Sequence, residues 1–400
     1  MSIAVPDFCL VLLLGSSPAA MAEFAARQFA PGEVIGPDLA GDALSATVTH
    51  RLERRQPTAI DVTDATAADR AALLRIAKHT FTQPVAIAVL SDGRKGDARI
   101  QALREIVQKL QRDGVRVVHV LREGETIEIT REPLVTDRRD LVGPFDIIGD
   151  VHGCTDELEM LLGELGYGIA WHDVAGERCV TVTPPRGRRL IFVGDLVDRG
   201  PRTPDALRIV MSAVAAGNGF CVPGNHDAKF RRWLDGRNVT LTHGLDRSVA
   251  QMGAEPRSFH EAVKTFLDEL PSHIWCDGGR LVVAHAGLTA EMIGRSTPAV
   301  REFCLYGDTD GATDAEGLAI RYHWAAHYRG DTTIVYGHTP VAEAIWVNNT
   351  LCLDTGCCFG GKMSALRWPE REIVSVPALQ EYAPPRRPFG HPPPRSLADM

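Results

Sequence analysis

The sequence lacks any run of apolar residues approaching the roughly 18 that a membrane-spanning helix needs, although 44% of its 400 residues are apolar. We therefore expect no membrane-spanning segment and no membrane partner. The apolar stretch at 9–14 also differs from a secretory signal, because Asp7 rather than a positive charge precedes it and it is shorter than the about 7–15 residues of a signal core. We interpret it as a buried strand.

Net positive charge and a regular cysteine spacing are also missing. The nine cysteines are an odd number without a repeated spacing, which indicates reduced thiols in a cytoplasmic protein rather than a disulfide framework. A formal net charge of −8 gives no overall attraction to nucleic acid or anionic membrane. Two local basic clusters remain and are interpreted as solvated faces. They lie at Arg186, Arg188 and Arg189 and at Lys229, Arg231 and Arg232.

The length of 400 residues predicts two domains, since domains usually contain about 100–200 residues. From residue 8 to about 122, short apolar runs alternate with segments of helical period, which is typical of a parallel sheet with crossover helices. After Pro144 the chain changes to many short strands, with a helical insertion at 228–275. The predicted fold class is α/β. The predicted divisions are a parallel-sheet domain at 1–125, a linker at 126–143, a second domain at 144–383 and a disordered Pro- and Arg-rich tail at 384–400.

Five short polar motifs follow predicted strands of the second domain. Strand residues alternate sides, so an Asp-x-His pair at a strand end places both side chains on the same face. Taken singly, each motif is more often ordinary turn chemistry than a metal site, whereas together they supply a complete ligand set. The motifs are Gly-Asp-Val-His-Gly at 149–153, Gly-Asp-Leu-Val-Asp-Arg-Gly at 194–200, Gly-Asn-His-Asp at 224–227, Ala-His-Ala-Gly at 284–287 and Gly-His-Thr-Pro at 337–340.

The side chains of these motifs favour a site for two divalent ions. Carboxylate, amide and imidazole ligands suit Mn²⁺ and related ions, whereas a structural zinc site more often uses thiolates. Asp150 and His152 are predicted to hold one ion, and Asp195 is predicted to bridge it to a second ion about 3.5–4 Å away. The ligands predicted to complete the second ion are Asn225, His285 and His338.

Hydrolysis of a phosphate ester is the reaction that this ligand set supports. A hydroxide bound between the metals would attack phosphorus, because divalent ions bring the pKa of water towards neutrality. His226 is predicted to protonate the leaving group, and Asp198 to orient its ring. Arg199 offers a planar fork of donors to the phosphate oxygens. A covalent protein nucleophile is therefore unnecessary.

From residue 144 to about 380, these motifs resemble the calcineurin-like metallophosphoesterase superfamily. The resemblance implies a domain of two packed β-sheets flanked by helices, with the metals at the strand ends. Several longer stretches are similar to the phosphatase domain of the bacterial polynucleotide kinase-phosphatases, which heal RNA ends. These stretches lie at 143–154, 192–201 and 222–227, at Phe-Cys-Leu-Tyr-Gly 303–307, at 335–341 and at Asp-Thr-Gly-Cys 354–357.

This resemblance implies specific metals, substrates and partners. The ions would be Mn²⁺, with Ni²⁺, Fe or Zn²⁺ as alternatives, and the substrates phosphomonoesters or 2′,3′-cyclic phosphates on nucleic-acid ends or nucleotides. A separate RNA ligase is implied as a repair partner. Asp354 joins the catalytic set through its Asp-Thr-Gly motif, with turn capping as the alternative, and His243 is assigned to shaping the lid.

The same family implies a P-loop kinase domain at the N-terminus, and here the sequence departs from the pattern. A phosphate loop reads Gly-x-x-x-x-Gly-Lys-Ser/Thr, whereas this chain has Gly-Ser-Ser-Pro-Ala-Ala-Met-Ala at 15–22. Without the second glycine, the lysine and the hydroxyl, neither phosphate nor Mg²⁺ is held. Asp38 falls where the kinase general base is expected, but Gly41 replaces the arginine expected after it. The prediction is a degenerate P-loop kinase-like domain without phosphotransfer activity.

Other functions remain open at this point. Gly-Asp-x-His-Gly and Gly-Asn-His segments also occur in dinucleoside tetraphosphate hydrolases and in serine/threonine protein phosphatases, which use the same two-metal site. A third hypothesis is a non-catalytic binding protein built from two degenerate enzyme domains. The intact ligand set opposes this hypothesis for the second domain.

Overall fold

The computed structural model describes residues 2–16, 18–36, 39–91, 97–314 and 317–395, with the backbone alone at 18 and 20. The chain divides into two compact units. The first unit comprises 1–135 together with 295–297, and the second comprises 136–294 together with 298–400. Each unit has its own buried core.

A parallel sheet covered by helices forms the first unit. Its strands are β1 (Ser2–Pro6), β2 (Leu10–Gly15), β3 (Val34–Ile35), β4 (Thr58–Asp61), β5 (Pro84–Leu90), β6 (Val117–Arg122) and β7 (Glu128–Glu132). Its helices are α1 (Pro18–Gln28), α2 (Gly41–Glu53), α3 (Ala67–His79) and α4 (Ala98–Arg112). The main sheet has the order β3-β4-β2-β5-β6 with every neighbouring pair parallel, and β1 pairs in parallel with β7 outside it.

The central strand β2 explains why helices lie on both faces of this sheet. Leu12 and Leu14 pack in a core with residues of α2, α3 and α4, whereas Leu13 packs in a core with residues of α1. A strand buried on both faces has a continuous apolar sequence, because successive side chains point to opposite sides. The interpretation of 9–14 as a buried strand is confirmed.

The segment that replaces a phosphate loop follows β2 directly. Gly15 ends this strand, and Pro18 begins α1, where the missing N–H of proline is tolerated. Ser17 and Asp38, which entered the comparison with kinases, lie outside the described residues.

The second unit contains two larger sheets, two hairpins and six α-helices among its described residues. Its strands are β8 (Asp137–Arg138), β9 (Phe145–Ile148), β10 (Gly168–Val174), β11 (Glu177–Thr183), β12 (Arg189–Phe192), β13 (Gly219–Cys221), β14 (His273–Cys276), β15 (Leu281–Ala284), β16 (Asp308–Thr313), β17 (Ala319–Tyr322), β18 (Thr333–Tyr336), β19 (Trp346–Val347), β20 (Thr350–Cys352), β21 (Lys362–Trp368) and β22 (Glu372–Pro377). Its α-helices are α5 (Thr155–Glu164), α6 (Thr203–Ala215), α7 (Asn225–Leu234), α8 (Leu245–Met252), α9 (Arg257–Glu269) and α10 (Pro298–Tyr306), and its 3₁₀ helices are Asp277–Gly279, Ala290–Met292 and Trp324–Ala326.

The two larger sheets pack face to face. One has the order β13-β12-β9-β21-β22 and the other the order β19-β20-β18-β15-β14-β8. Phe145 and Ile191 from the first sheet share a buried core with Val283 and Val335 from the second. Residues of α5 and α6 pack in a further core with Ile148 and Leu190 of the first sheet. The predicted arrangement of two packed sheets with flanking helices is therefore observed, and α7, α8 and α9 account for the predicted helical insertion.

The predicted linker does not form a separate segment. Within 126–143, β7 pairs with β1 of the first unit, whereas β8 pairs with β14 of the second unit. The division therefore falls between Val135 and Thr136. Charge and weak periodicity suggested a linker because both strands are short and mostly polar.

The tail also differs from the disordered segment expected from its composition. In its described part, the N–H of Gly390 donates to the Pro340 carbonyl at 2.8 Å, and the N–H of His323 donates to the Pro393 carbonyl at 2.9 Å. The ring of Phe389 lies 6.1 Å from that of Phe359. Main-chain hydrogen bonds and a ring contact thus hold a segment whose proline content alone suggested disorder.

One of the basic residues interpreted as solvated lies in the core. Arg188 donates through Nε and Nη2 to both carboxylate oxygens of Asp146, at 2.8 and 2.9 Å. Tyr167 adds a hydrogen bond to the same carboxylate at 2.9 Å. The charge of Arg188 is therefore neutralised by a partner 42 residues away, whereas Arg186 is exposed as predicted.

Two further findings concern helices and thiols. In the described part of the chain, every helix is too short or too polar to traverse a bilayer. All nine cysteines are free thiols.

Candidate metal centre

The side chains predicted to be functional lie in loops that follow parallel strands. Asp150 and His152 follow β9, and Asp195 follows β12, its parallel neighbour. His285 and His338 follow β15 and β18, which are parallel neighbours in the other sheet. Because the carboxyl ends of parallel strands meet at one edge, each sheet delivers its loops to a common place.

Asp195 lies in the middle of these loops and is 2% exposed. Its Oδ2 lies 3.5 Å from His152 Nε2 and 4.0 Å from His226 Nε2, and its Oδ1 lies 3.5 Å from His285 Nε2. Burial opposes ionisation of this carboxyl, but these three imidazoles and that of His338 outweigh burial and hold its pKa well below the usual range. The two oxygens of Asp195 thus face two different groups of side chains.

The group at Oδ1 contains two histidines and an amide. His285 Nε2 lies 3.0 Å from Asn225 Oδ1 and 3.0 Å from His338 Nδ1. His285 Nδ1 lies 3.1 Å from the Val193 carbonyl, so the proton sits on Nδ1 and the Nε2 lone pair faces the other two side chains. His338 Nε2 is buried with no hydrogen-bond partner among the described residues. In either tautomer of His338, one of its ring nitrogens has no hydrogen-bond partner. A cation between the rings of His285 and His338 would accept their lone pairs.

The group at Oδ2 is arranged in the same way. His152 Nδ1 lies 2.8 Å from the Val197 carbonyl, which accepts its proton and leaves Nε2 with a lone pair. Arg199 Nη1 donates to this Nε2, and Arg199 Nη2 lies 2.9 Å from His226 Nε2. Burial and the nearby Arg199 lower the pKa of His152 well below its usual value. A neutral imidazole with its lone pair towards the centre is the form that ligates metals.

Carboxylates crowd the same space. Asp150 accepts a hydrogen bond from the His338 N–H at 3.1 Å, and its pKa is raised by burial and by the carboxylates of Asp354 and Asp195. Burial, with a contribution from Asp195, also raises the pKa of Asp354 to about 6. Three buried carboxylates repel one another unless a cation lies among them. The donor set therefore fits divalent ions.

His226 and Asp198 form a buried pair beside the centre. His226 Nδ1 lies 2.6 Å from Asp198 Oδ2, and the other oxygen of Asp198 accepts from Ser248 Oγ at 2.8 Å. Asp198 is fully buried, and its own N–H donates to the same Ser248 Oγ. The carboxylate fixes the Nδ1–H tautomer and aims Nε2 at the centre, as the sequence predicts.

At this centre, two groups of side chains are close enough to hold an ion each: His152, Asp195 and His226 form one, and Asp195, His285 and His338 form the other. The first group differs from the prediction because it contains His226, which was assigned to acid catalysis alone. Asp150 lies within hydrogen-bonding distance of the His338 backbone instead.

Five of the ten predicted site residues have positive φ angles: His152 (48°), Asp195 (48°), Asp198 (75°), Arg199 (67°) and His338 (72°). Non-glycine residues rarely adopt this region, and each such conformation costs about 1–3 kcal/mol. The strain is confined to short loops anchored by the two-sheet core. Such concentration is typical of sites where side-chain direction matters more than local stability.

Arg321 is a site residue that the sequence motifs do not reveal. It lies on β17 and lines the cleft beside His338, and its guanidinium makes no hydrogen bond or ion pair within the described ranges. Burial and the nearby Arg387 lower its pKa, while Asp195 and Asp354 oppose this shift. The only signal in the sequence is a lone arginine in a polar hairpin, which local patterns cannot separate from a solvated one.

A cleft of about 970 Å³ opens over the centre. Asp195, Asn225 and His226 lie in its wall, and residues 383–393 of the tail form another wall. His243, predicted to shape a lid, lines the cleft as well. Its cationic lining residues are Arg199, Lys229, Arg247, Arg321, Arg386 and Arg387.

The close approach of Gly337 to Asp150 generates a test of the metal centre. A Cβ on Gly337 would overlap Oδ1 of Asp150, so Gly337→Ala should displace this carboxylate. We expect Mn²⁺ affinity, measured by isothermal titration calorimetry, to fall by about 10- to 100-fold, the range found when the support of a metal ligand is lost.

The matched control is Gly163→Ala. Gly163 lies within α5, and a Cβ there meets no atom within 4 Å. Alanine should raise helix stability by roughly 0.5–1 kcal/mol and leave Mn²⁺ binding unchanged. Wild-type Mn²⁺ affinity in Gly337→Ala would exclude Asp150 from the metal centre.

Comparison with known proteins gives a consistent result for the second unit. A family model described as calcineurin-like phosphoesterase matches residues 143–370. Bis(5′-nucleosyl)-tetraphosphatase PrpE (asymmetrical) of Anoxybacillus flavithermus is 45% identical over 250 residues, covering 61% of this chain and 99% of that enzyme. The enzymes of the same name from Geobacillus sp. and Bacillus cereus are 43% and 42% identical over 248 and 249 residues, each covering 60% of this chain and 96% of the relative.

The superfamily resemblance deduced from the motifs is confirmed, whereas the narrower resemblance is not. The relatives matched over about 250 residues carry the name of tetraphosphatases rather than that of polynucleotide kinase-phosphatases. None of these findings supports an RNA ligase partner or identifies the first unit. The chain belongs to the calcineurin-like phosphoesterase family and is a hydrolase.

Proposed function

We propose that the second unit is a bis(5′-nucleosyl)-tetraphosphatase, which cleaves the tetraphosphate bridge between two nucleosides. The observation that carries this proposal is the 45% identity to an enzyme of that name over 99% of its length. The resemblance to polynucleotide kinase-phosphatases implied phosphomonoesters or cyclic phosphates on nucleic-acid ends or nucleotides. That reaction uses the same centre and remains the second candidate.

The cleft supports a polyphosphate substrate through its size and charge. Its volume of about 970 Å³ lies near the upper end of the roughly 300–1,000 Å³ of small-molecule sites. Six cationic side chains line it, and a tetraphosphate bridge carries several negative charges in a row. A protein with net charge −8 that gathers cations in one cleft suits a compact polyanion better than a long nucleic acid.

We assign two divalent ions to the centre, with Mn²⁺ as the preferred ion and Ni²⁺, Fe or Zn²⁺ as alternatives. Asp150, His152 and Asp195 would hold one ion. Asp195 would also contribute to the second, whose further ligands are Asn225, His285 and His338. When bound, such ions supply a nucleophile at neutral pH by lowering the pKa of water, and they neutralise phosphate charge.

The protein groups around the centre bind phosphate and move a proton. Arg199, whose Nη2 lies 2.9 Å from His226 Nε2, would turn its fork of donors to the non-bridging oxygens of the scissile phosphate. His226, protonated at Nε2, would give that proton to the leaving oxygen. Asp198, 2.6 Å from His226 Nδ1, stabilises the imidazolium and keeps its direction. Asp354 would orient Arg199 and the first ion.

The leaving group decides how much this acid contributes. A nucleoside polyphosphate is a better leaving group than an alkoxide, because its terminal phosphate oxygen is a far weaker base. His226 is therefore needed less for an anhydride than for a phosphomonoester, whereas the phosphate clamp is needed more. A cleft rich in arginine suits the anhydride for this reason.

We infer that the first unit is a degenerate P-loop kinase-like domain that does not transfer phosphate. The support is its parallel sheet together with the segment at 15–22, which has neither lysine nor a glycine near its end. Without phosphotransfer, the first unit would serve as a scaffold or as a surface that positions the substrate. Nine free thiols favour a reducing, cytoplasmic location for the whole chain.

A panel of four substrates tests the proposed activity. With Mn²⁺, we expect kcat/KM for diadenosine tetraphosphate to exceed by about tenfold or more, or about 1.4 kcal/mol, that for a 3′-phosphate oligonucleotide, a 2′,3′-cyclic nucleotide and a phosphopeptide. Asp195→Ala should lower turnover of every substrate by more than about 100-fold. Preference for the oligonucleotide or the cyclic nucleotide would establish the second candidate, and preference for the phosphopeptide a protein phosphatase.

Arg321 is expected to bind substrate phosphate. Arg321→Ala should lower kcat/KM for diadenosine tetraphosphate by about 10- to 100-fold, since a hydrogen bond to a charged group contributes about 1.5–3 kcal/mol. Arg321→Lys should recover only part of this loss, because lysine has no planar fork. The control is Arg329→Ala, at an exposed arginine outside the cleft. Equal kinetics in Arg321→Ala and Arg329→Ala would show that Arg321 does not contact the substrate.

The absence of phosphotransfer by the first unit is tested with γ-labelled ATP and a 5′-hydroxyl oligonucleotide. Asp195→Ala is used so that the phosphoesterase does not remove the label. We expect no labelled oligonucleotide above a reaction without protein, since the segment at 15–22 lacks the groups that hold ATP phosphates and Mg²⁺. Formation of several labelled oligonucleotide molecules per protein molecule would contradict the inference that the first unit does not transfer phosphate.

A further inference from the structure

A second cluster of metal-binding side chains lies in the second unit, outside the centre described above. Cys154, Glu157 and Cys357 each offer one ligand atom, and these atoms lie within 4.8 Å of one another. Cys154 and Glu157 are fully buried, and Cys357 is 3% exposed. The proposed phosphoesterase chemistry uses none of the three.

Glu157 is only partly satisfied by its neighbours. Its Oε1 accepts from the Leu379 N–H at 2.9 Å and from Tyr382 Oη at 2.8 Å. Its Oε2 is buried with no hydrogen-bond partner in the described part of the chain, and no ion pair to Glu157 is present there. A buried carboxylate with one bare oxygen and no cation costs several kcal/mol. The bare oxygen therefore indicates a missing positive partner.

The two thiols beside this oxygen specify which cation would suit it. The Cys154 thiol makes only a weak contact with the His152 carbonyl, at 3.7 Å. The sulfur atoms of Cys154 and Cys357 lie within 4.8 Å of each other. Thiolates are soft ligands that select zinc over manganese or magnesium, and a Glu oxygen is also among the ligands that zinc accepts.

We propose that Cys154, Glu157 and Cys357 bind a structural Zn²⁺ ion. Both thiols release their protons to solvent on binding, and the ion forms two Zn–S bonds and one Zn–O bond to the bare oxygen of Glu157. The site is distinct from the catalytic centre, whose assigned ligands are nitrogen and oxygen atoms. This proposal does not depend on which phosphate substrate the enzyme hydrolyses.

The position of the cluster gives the ion a structural role. Cys154 lies two residues after His152, and Cys357 lies three residues after Asp354. Glu157 lies in the first turn of α5 and also holds the segment that contains Leu379 and Tyr382. A bound ion would join two separate parts of the chain, the start of α5 at 154–157 and the loop at 354–357, and would restrain the two loops that carry His152 and Asp354.

Cobalt substitution tests the proposal with the full-length chain. Thiolate ligation to Co²⁺ gives an intense charge-transfer absorption in the near ultraviolet, whereas nitrogen and oxygen ligands give only weak visible bands. We expect this absorption in the wild-type protein at saturating Co²⁺ and also in Asp195→Ala, whose catalytic centre is impaired. Added Zn²⁺ should abolish it by displacement.

Substitutions assign the band to the cluster. Cys154→Ser and Cys357→Ser should each lose at least half of the absorption, and Glu157→Gln should weaken Co²⁺ affinity by about 10-fold or more while the band persists. The matched control is Cys304→Ser, a buried thiol in α10, which should keep the full band.

Three results would overturn the proposal. The first is a wild-type protein without a thiolate band at saturating Co²⁺, which requires no substitution and so does not depend on how well the variants fold. The second is a full band in both cysteine variants. The third is a Cys154–Cys357 disulfide, found by mass spectrometry in protein purified with reductant and Zn²⁺.

Discussion

The carboxylate of Asp195 is buried among three imidazoles, and the rest of the second unit is arranged around this placement. Isolated in a protein interior, an ionised carboxylate is strongly destabilising unless opposite charge compensates it. Here the histidines at 3.5–4.0 Å provide partial compensation, but burial lowers the pKa of His152 and of His285 and so opposes their positive charge. The arrangement is balanced only when divalent cations share the space, which is why the proposed metals and the fold are inseparable. The two-sheet core supplies the rigidity that such a cluster requires.

Backbone strain follows from the same requirement. His152, Asp195 and His338 have positive φ angles because the chain must leave a strand and immediately turn its side chain back towards a shared point. A rigid core on one side of each loop makes this possible, since the strands cannot shift to relieve the strain. Ligand geometry is thus imposed by the sheets rather than by the loops themselves.

The strand-end motifs made most of the site predictable from sequence. Asp150, His152 and Asp195 each follow a short apolar run, and the rule that parallel strands end at one edge brings them together without knowledge of the full topology. The strand β2 and the helices α3 and α4 were predictable for a similar reason, because their apolar periodicity is local.

Long-range partners were not predictable. From the sequence alone, Arg188 resembles a surface residue, and only the structure shows Asp146 beside it. Arg321 resembles part of a polar hairpin, and only the structure shows that it lines the cleft. The prediction of a disordered tail was wrong because proline content shows only that helices and strands are disfavoured. It gives no information about hydrogen bonds to a neighbouring loop. In each case the deciding contact joins residues far apart in the chain, and periodicity does not encode such contacts.

The longer stretches that suggested a nucleic-acid end-healing enzyme have a structural explanation. Phe303 to Gly307 ends α10, and the Cys304 carbonyl accepts the Ala286 N–H at 2.7 Å, next to His285. The stretch thus positions the His285 loop, and its Tyr306 also lines the cleft. Similarly, Asp354 to Cys357 forms the loop between the catalytic centre and the thiol cluster. Segments that hold ligands are shared by enzymes with different substrates, so specificity must lie in the cleft.

The proposed thiol site extends this reasoning from ligands to the loops that hold them. His152 has a strained backbone that is held by hydrogen bonds to the Asp195 carbonyl and from the Gly200 N–H. An ion at Cys154 and Cys357 would add a second restraint, joining this loop to the loop that carries Asp354. Soft thiolates there and hard oxygen and nitrogen ligands at the centre would let one domain hold two kinds of ion without exchange between them. The chemistry of each ligand set, rather than distance alone, would keep the structural ion and the catalytic ions apart.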